Sequence, residues 1–145
     1  RRRKNMKKTL ALSIIAVLLF ACMFSLVACN NSKIVGVYEM TDISGSMTYN
    51  GTTTRLTRDL YEYYTIEFKK DGTAIVKAKG SGAGQYIENK GTWTEEDGVI
   101  KLKSSQGGLT VVEEMKWDNG VITYSNRQSA NGVSVNMTIV LAKKA

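Results

Sequence analysis

The sequence predicts an all-β fold, an eight-stranded antiparallel meander closed as a barrel or stacked as a sandwich, on three observations. Five Asn-Gly or Asp-Gly dipeptides (Asn50-Gly51, Asp71-Gly72, Asp97-Gly98, Asn119-Gly120 and Asn131-Gly132) punctuate the chain. Both residue types tolerate the positive φ that tight hairpins require. Between these dipeptides lie short runs rich in β-branched and aromatic residues, which suit a pleated, half-buried surface. The last run alternates with period two: Val133, Val135, Met137, Ile139 and Leu141 share one face, and Ser134, Asn136 and Thr138 take the other. That pattern describes a strand with one buried and one wet side.

Taken in order, residues 1–28 read as a lipoprotein signal peptide. Arg1, Arg2, Arg3, Lys4, Lys7 and Lys8 form a basic segment without an acid, and Met6-Lys7-Lys8 is a normal opening for such a signal. An apolar stretch from Leu10 to Ala28 follows, interrupted only by Ser13, Cys22 and Ser25. Its 19 residues are also close to the length of a membrane span, so length does not separate the two readings. Leu26-Val27-Ala28-Cys29 does separate them, because Leu three positions before a cysteine and Ala directly before it form a lipobox. The expectation is cleavage before Cys29 and lipid attachment to its thiol, leaving residues 29–33 as a polar tether outside the cytoplasm and residues 34–145 as the folded domain.

The strands of that domain are expected at Ile34–Met40, Tyr63–Lys69, Thr73–Lys79, Gly91–Glu95, Val99–Ser104, Leu109–Trp117, Val121–Asn126 and Val133–Ala142. Asp42 to Thr54 is polar and rich in Gly, Ser and Thr. It reads as a long loop with a hairpin at Asn50-Gly51, and the segment Thr41–Leu60 is expected to serve as a lid over a bound molecule. Thr54 to Tyr63 fits a short helix capped by Thr54, with Leu56, Leu60 and Tyr63 on one stripe. Leu109, Val111, Met115 and Trp117 share a face on which Glu113 also falls. Either a bulge resets the register there or Glu113 lies near a barrel mouth. Glu96-Asp97-Gly98-Val99-Ile100-Lys101-Leu102 and Asp118-Asn119-Gly120-Val121-Ile122-Thr123-Tyr124 are two copies of one solution, a tight turn feeding Val-Ile and an alternating strand.

Composition limits the chemistry. The net charge of +7 reflects the leader: without it, 14 basic residues face 13 acids, so the high pI is no argument for nucleic acid. The chain has no His, and downstream of the leader its one Cys is Cys29. His-based acid–base catalysis, a Ser-His-Asp triad, Cys/His zinc sites and internal disulfides are thereby excluded. The adjacent carboxylates of Glu113 and Glu114 point to opposite faces of a strand, and Glu95-Glu96-Asp97 sits at a turn. Both clusters read as solvated surface rather than as a catalytic pair. Neither an enzyme, a cofactor nor a metal site is expected. Tyr61, Tyr63, Tyr64 and Tyr86 are a constellation suited either to stacking on a ligand or to packing in a sheet.

Gly36-Val37-Tyr38, Phe68-Lys69-Lys70-Asp71-Gly72-Thr73, Gly91-Thr92-Trp93 with Asp97-Gly98-Val99-Ile100-Lys101-Leu102, and the closing Leu141-Ala142-Lys143-Lys144 carry a resemblance to the small lipocalin-like domains of bacterial lipoproteins. The chain departs from true lipocalins in having Tyr38 where a Gly-x-Trp would place tryptophan. The resemblance implies a meander β-barrel, a diacylglyceryl thioether on Cys29, and a place on the extracytoplasmic side of the bacterial cell membrane. It also implies a small hydrophobic ligand as partner. The candidate pocket residues are Tyr38, Tyr64, Phe68, Trp93, Trp117 and Met137. The other expectation is a non-catalytic structural or protein-interaction module of the cell envelope.

Overall fold

The computed structural model describes residues 33–145 apart from Ala83. The leader, the lipobox and Cys29 lie outside the described residues. Among those described, no helix is long and apolar enough to cross a membrane.

The chain forms nine strands and one short 3-10 turn: β1 (Gly36–Tyr49), β2 (Thr52–Arg55), the 3-10 turn Arg58–Leu60, β3 (Tyr61–Phe68), β4 (Thr73–Gly80), β5 (Tyr86–Glu96), β6 (Val99–Gln106), β7 (Leu109–Asp118), β8 (Val121–Ala130) and β9 (Val133–Lys143). All pairings are antiparallel between sequence neighbours, except that β1 also pairs with β3 and β9. The β1–β9 ladder closes β1 and β3 through β9 into an eight-stranded barrel. Closure pairs what would be the two outer strands of the eight-strand sheet, β1 and β9, and so removes those two edges as sites of pairing with other chains.

Four of the five turn dipeptides are two-residue hairpins with both residues at positive φ, as at Asn119 (47°) and Gly120 (81°). The fifth differs. At Asp71-Gly72 only Gly72 has positive φ, and the Asp71 carboxylate accepts from the Thr73 N–H at 2.9 Å and its hydroxyl at 2.6 Å. These bonds hold the Asp71 carboxyl below its usual range. The two copied turns share a structural task. The Gly98 carbonyl accepts from Trp117 N at 2.8 Å and the Gly120 carbonyl from Lys143 N at 2.9 Å, while Gly72 does the same for Trp93 N at 2.9 Å. Each hairpin turn is thus tied to a later strand, and the barrel is tight at this end.

The expected loop over Asp42 to Thr54 is instead strand. β1 runs on through Thr41–Tyr49 because β9 offers it a partner throughout, from Asp42 opposite Val140 to Tyr49 opposite Val133, after a register shift between Met40 and Asp42. The hairpin at Asn50-Gly51 is present and leads into β2. The expected helix over Thr54 to Tyr63 is replaced by β2 and the three-residue 3-10 turn. The lid reading of this segment falls with the loop, because the segment is part of the wall.

The opposite end is splayed. β1 and β3 pair only from Gly36 to Glu39, and β7 and β8 only over Lys116–Asp118 with Val121–Thr123. Beyond these contacts the wall parts along two seams. At the first, the Arg58 guanidinium donates to the carbonyls of Met40 (3.1 Å) and Tyr61 (2.6 Å), joining β1 to β3 where their ladder has ended. A groove of about 300 Å³ lined by Asp42, Gly45, Arg55 and Arg58 lies between β1 and the segment from β2 to the 3-10 turn, and one of about 370 Å³ lined by Val99, Met115, Lys116 and Thr123 marks the second seam.

The core lies at the tight end. Ile34, Tyr38, Phe68, Ile100 and Ile122 are fully buried, with Met40, Ile66, Leu102, Met115, Ile139 and Leu141 beside them. No polar or charged side chain among the described residues is fully buried.

Candidate functional site

Residues paired across a ladder share a face, so the buried positions identify the inner face strand by strand. Inward from the core toward the splayed end run Ile43, Gly45, Met47 and Tyr49 on β1, opposite Ile139, Met137, Val135 and Val133 on β9. β8 adds Tyr124, Asn126 and Gln128. On the other wall lie Met115, Glu113, Val111 and Leu109 of β7, Leu102 and Ser104 of β6, Asn89 and Ile87 of β5, Ala78 of β4, and Tyr64 of β3. Burial fades along this face. Met47 (39%), Tyr49 (58%), Ile87 (47%) and Leu109 (72%) remain exposed although their faces point inward.

The six candidate pocket residues divide into two layers. Tyr38 and Phe68 are fully buried at the tight end, their rings edge-to-face at 5.6 Å and 77°. Phe68 meets Trp93 in the same way at 5.3 Å and 69°. The Trp117 indole donates to the Tyr38 hydroxyl at 3.0 Å, which donates to the Ile34 carbonyl at 2.9 Å. Burial pushes the Tyr38 phenol above its ordinary value, and the Trp117 bond offsets part of that. These four aromatic residues form the floor. Tyr64 and Met137 lie higher, partly buried and packed against the core.

Near them is a polar cluster that the sequence only half disclosed. The Tyr124 hydroxyl donates to Glu113 Oε1 at 2.8 Å, across the seam between β7 and β8. The β6–β7 register is continuous from Val99–Lys116 to Gln106–Leu109, so no bulge turns Glu113 outward. Glu113 instead stays on the inner face opposite buried Leu102, below the rim at Leu109, so of the two expectations the bulge is not found and the carboxylate lies deeper than a mouth position. The solvated-surface reading holds for Glu114, which is exposed and pairs with Lys101 at 3.7 Å, and is corrected for Glu113, which is inward and partly buried. Glu95 is also partly buried, and its carboxylate caps the next hairpin by accepting from Gly98 N at 2.8 Å.

Tyr64, also on the inner face, is within reach of the charge of the Glu113 carboxylate. Burial first, and then the negative charge of Glu113, push its phenol far above the ordinary value. Tyr124 is raised by burial and by its bond to Glu113. Both are therefore neutral hydroxyl donors at any physiological pH. Tyr61 packs edge-to-face on Tyr64 at 6.1 Å and 86°. Tyr63 and Tyr86 take no part: they belong to the outer face with Lys79, and Tyr86 donates to Glu88 at 2.6 Å. Among the described residues, no group of three or more His, Cys, Asp or Glu is placed to hold a metal ion.

The signal for Met47 and Tyr49 was present in the sequence, since Ile43, Met47 and Tyr49 keep period two through a stretch whose Gly, Ser and Thr content masks it. Comparison of the chain with protein-family models, curated proteins and solved structures finds no match.

Proposed function

We propose that this chain is a non-catalytic binding module of the bacterial cell envelope, with a lipocalin-like barrel held outside the cytoplasm by a lipid on Cys29. It takes a small hydrophobic ligand into the splayed end of the barrel. One observation carries the binding: Met47, Tyr49, Ile87 and Leu109 present large apolar side chains to the interior yet stay open to solvent. Covering apolar surface gains about 25 cal/mol per Å². A concave, half-open apolar wall with a few convergent polar groups is the usual form of a small-molecule site. Tyr64 and Met137 then line its lower wall, above the aromatic floor of Tyr38, Phe68, Trp93 and Trp117.

The test is a titration of the purified full chain with a panel of fatty acids, lysophospholipids and apolar dyes, followed by Trp93 and Trp117 fluorescence. A saturable shift with at least one member is expected. A flat response across the panel overturns the ligand reading and favours the second one, a protein-interaction module. That alternative draws on the parted seam, where Leu109–Met115 of β7 and Tyr124–Ala130 of β8 make no ladder with each other. Backbone edges of this kind accept an added strand.

The anchor rests on Leu26-Val27-Ala28-Cys29 and is tested separately. Mass spectrometry of native material should find a chain beginning at Cys29 and carrying a diacylglyceryl mass. An intact leader or a bare thiol at Cys29 overturns it. Two acyl chains would make the attachment stable, where one holds only marginally.

A further inference from the structure

The inner face is sorted by charge. Apart from Glu95 and Lys143, which take inward ladder positions at the tight end, Glu113 is the one charged residue on the inner face of the ladders among the described residues. The strand lysines nearest it in the ladders, Lys101, Lys103 and Lys116, alternate to the outer face, and no cation among the described residues pairs with it. Its bond from Tyr124 engages Oε1, whereas a carboxylate accepts at about four lone-pair positions. The Tyr124 hydroxyl donates to it, Tyr64 is near enough to feel its charge, and Tyr61 packs edge-to-face on Tyr64. Leu109, the outermost inner-face residue of β7, is four positions away along the strand, about 13 Å at the ordinary rise of a strand.

Resting on the binding reading above, we infer that the ligand is an amphipathic organic cation, bound head-inward. Its ammonium group sits at the Glu113 carboxylate against the Tyr64 and Tyr124 rings. Its short apolar tail runs past Val111 and Val135 to the rim of Met47, Ile87 and Leu109. The carboxylate supplies the main attraction for a cation, and tyrosine rings within reach of the bound head add to it. A substituted ammonium is weakly hydrated and loses little on entering. An anion of the same shape meets an uncompensated negative charge, so selectivity comes from repulsion as much as from attraction. The Tyr124–Glu113 bond crosses the parted seam and holds the carboxylate over the interior.

The experiment is calorimetric titration of the purified full chain with three probes of equal tail length: hexyltrimethylammonium, hexanesulfonate and 1-hexanol. Hexyltrimethylammonium is expected to bind at least about tenfold more tightly than hexanesulfonate, with 1-hexanol between them. Glu113→Gln should abolish that discrimination, while Glu114→Gln, one residue away on the outer face, should preserve it. The wild-type comparison needs no variant, so it stands even if Glu113→Gln fails to fold. Equal binding of all three probes overturns the cationic ligand and leaves the apolar pocket intact. Absence of binding by all three, together with a flat response to the wider panel, removes the pocket as well.

Discussion

Phe68→Ala is expected to destabilise the barrel by about 3–5 kcal/mol. Phe68 is fully buried, lies opposite Gly36 where β1 first meets β3, and packs edge-to-face on both Tyr38 and Trp93. Truncation leaves a void that these rigid rings cannot fill, because Tyr38 is fixed through its hydroxyl to Ile34 and Trp117, and Trp93 through its indole N–H to the Lys69 carbonyl at 3.0 Å. Aromatic pairing adds about 0.5–1.5 kcal/mol per contact beyond area burial. A domain of this size has about 5–15 kcal/mol in all, so thermal unfolding followed by circular dichroism should shift down by roughly 10–30 °C. A loss below about 1 kcal/mol would show that the floor repacks freely and that the aromatic layer is not what closes this end.

Gly45→Val is expected to be of similar size for a different reason. Gly45 has φ of 115°, a conformation that L side chains rarely adopt. A Cβ added there would collide with the backbone carbonyl of Asn136 on β9, which cannot swing aside as a side-chain tip can. The Gly45 carbonyl also accepts from Leu56 N at 3.0 Å, tying the β2 segment back to β1. Backbone strain of about 1–3 kcal/mol adds to overpacking of about 1–3 kcal/mol. Urea unfolding should show the combined loss, and amide exchange should show it concentrated at β1 and β9 beyond Met40. Gly51→Val is the informative comparison, since a Cβ at that exposed hairpin meets no atom within 4 Å. Equal losses at Gly45 and Gly51 would mean that positive φ alone, and not the close approach to β9, sets the requirement.

Much of the fold was legible because its signals are local. Asn119-Gly120 prescribes a two-residue hairpin wherever it falls between alternating runs, and the run from Val133 to Leu141 declares its buried face without reference to any partner. The segment from Thr41 to Tyr49 was not legible in this way. Asp42 and Gly45 have weak strand preference and the serines favour turns, and it is a strand because β9 lies alongside it. Thr54 to Tyr63 misled for the converse reason: spacing suited to a helical stripe was overridden when Leu56 was drawn to the core and Arg58 to the carbonyls of β1 and β3.

The candidate site shows the same division. An acid on the apolar face of β7 is visible at Glu113, but whether it turns outward at a bulge or stays inside depends on the β6–β7 register. Its closeness to Tyr64 and Tyr124 depends on how β3, β7 and β8 meet around a closed ring, across distances in sequence that no window spans. Sequence alone determined where the chain must turn, which face of each strand is apolar, and what chemistry a chain without histidine forgoes. Only the tertiary structure decided that the ring closes through β9, that two ladders end early and part the wall, and that one carboxylate is left facing inward among tyrosines. The reason is physical: turn geometry and side-chain alternation are properties of neighbouring residues, whereas strand pairing is set by which distant backbone lies within hydrogen-bonding reach.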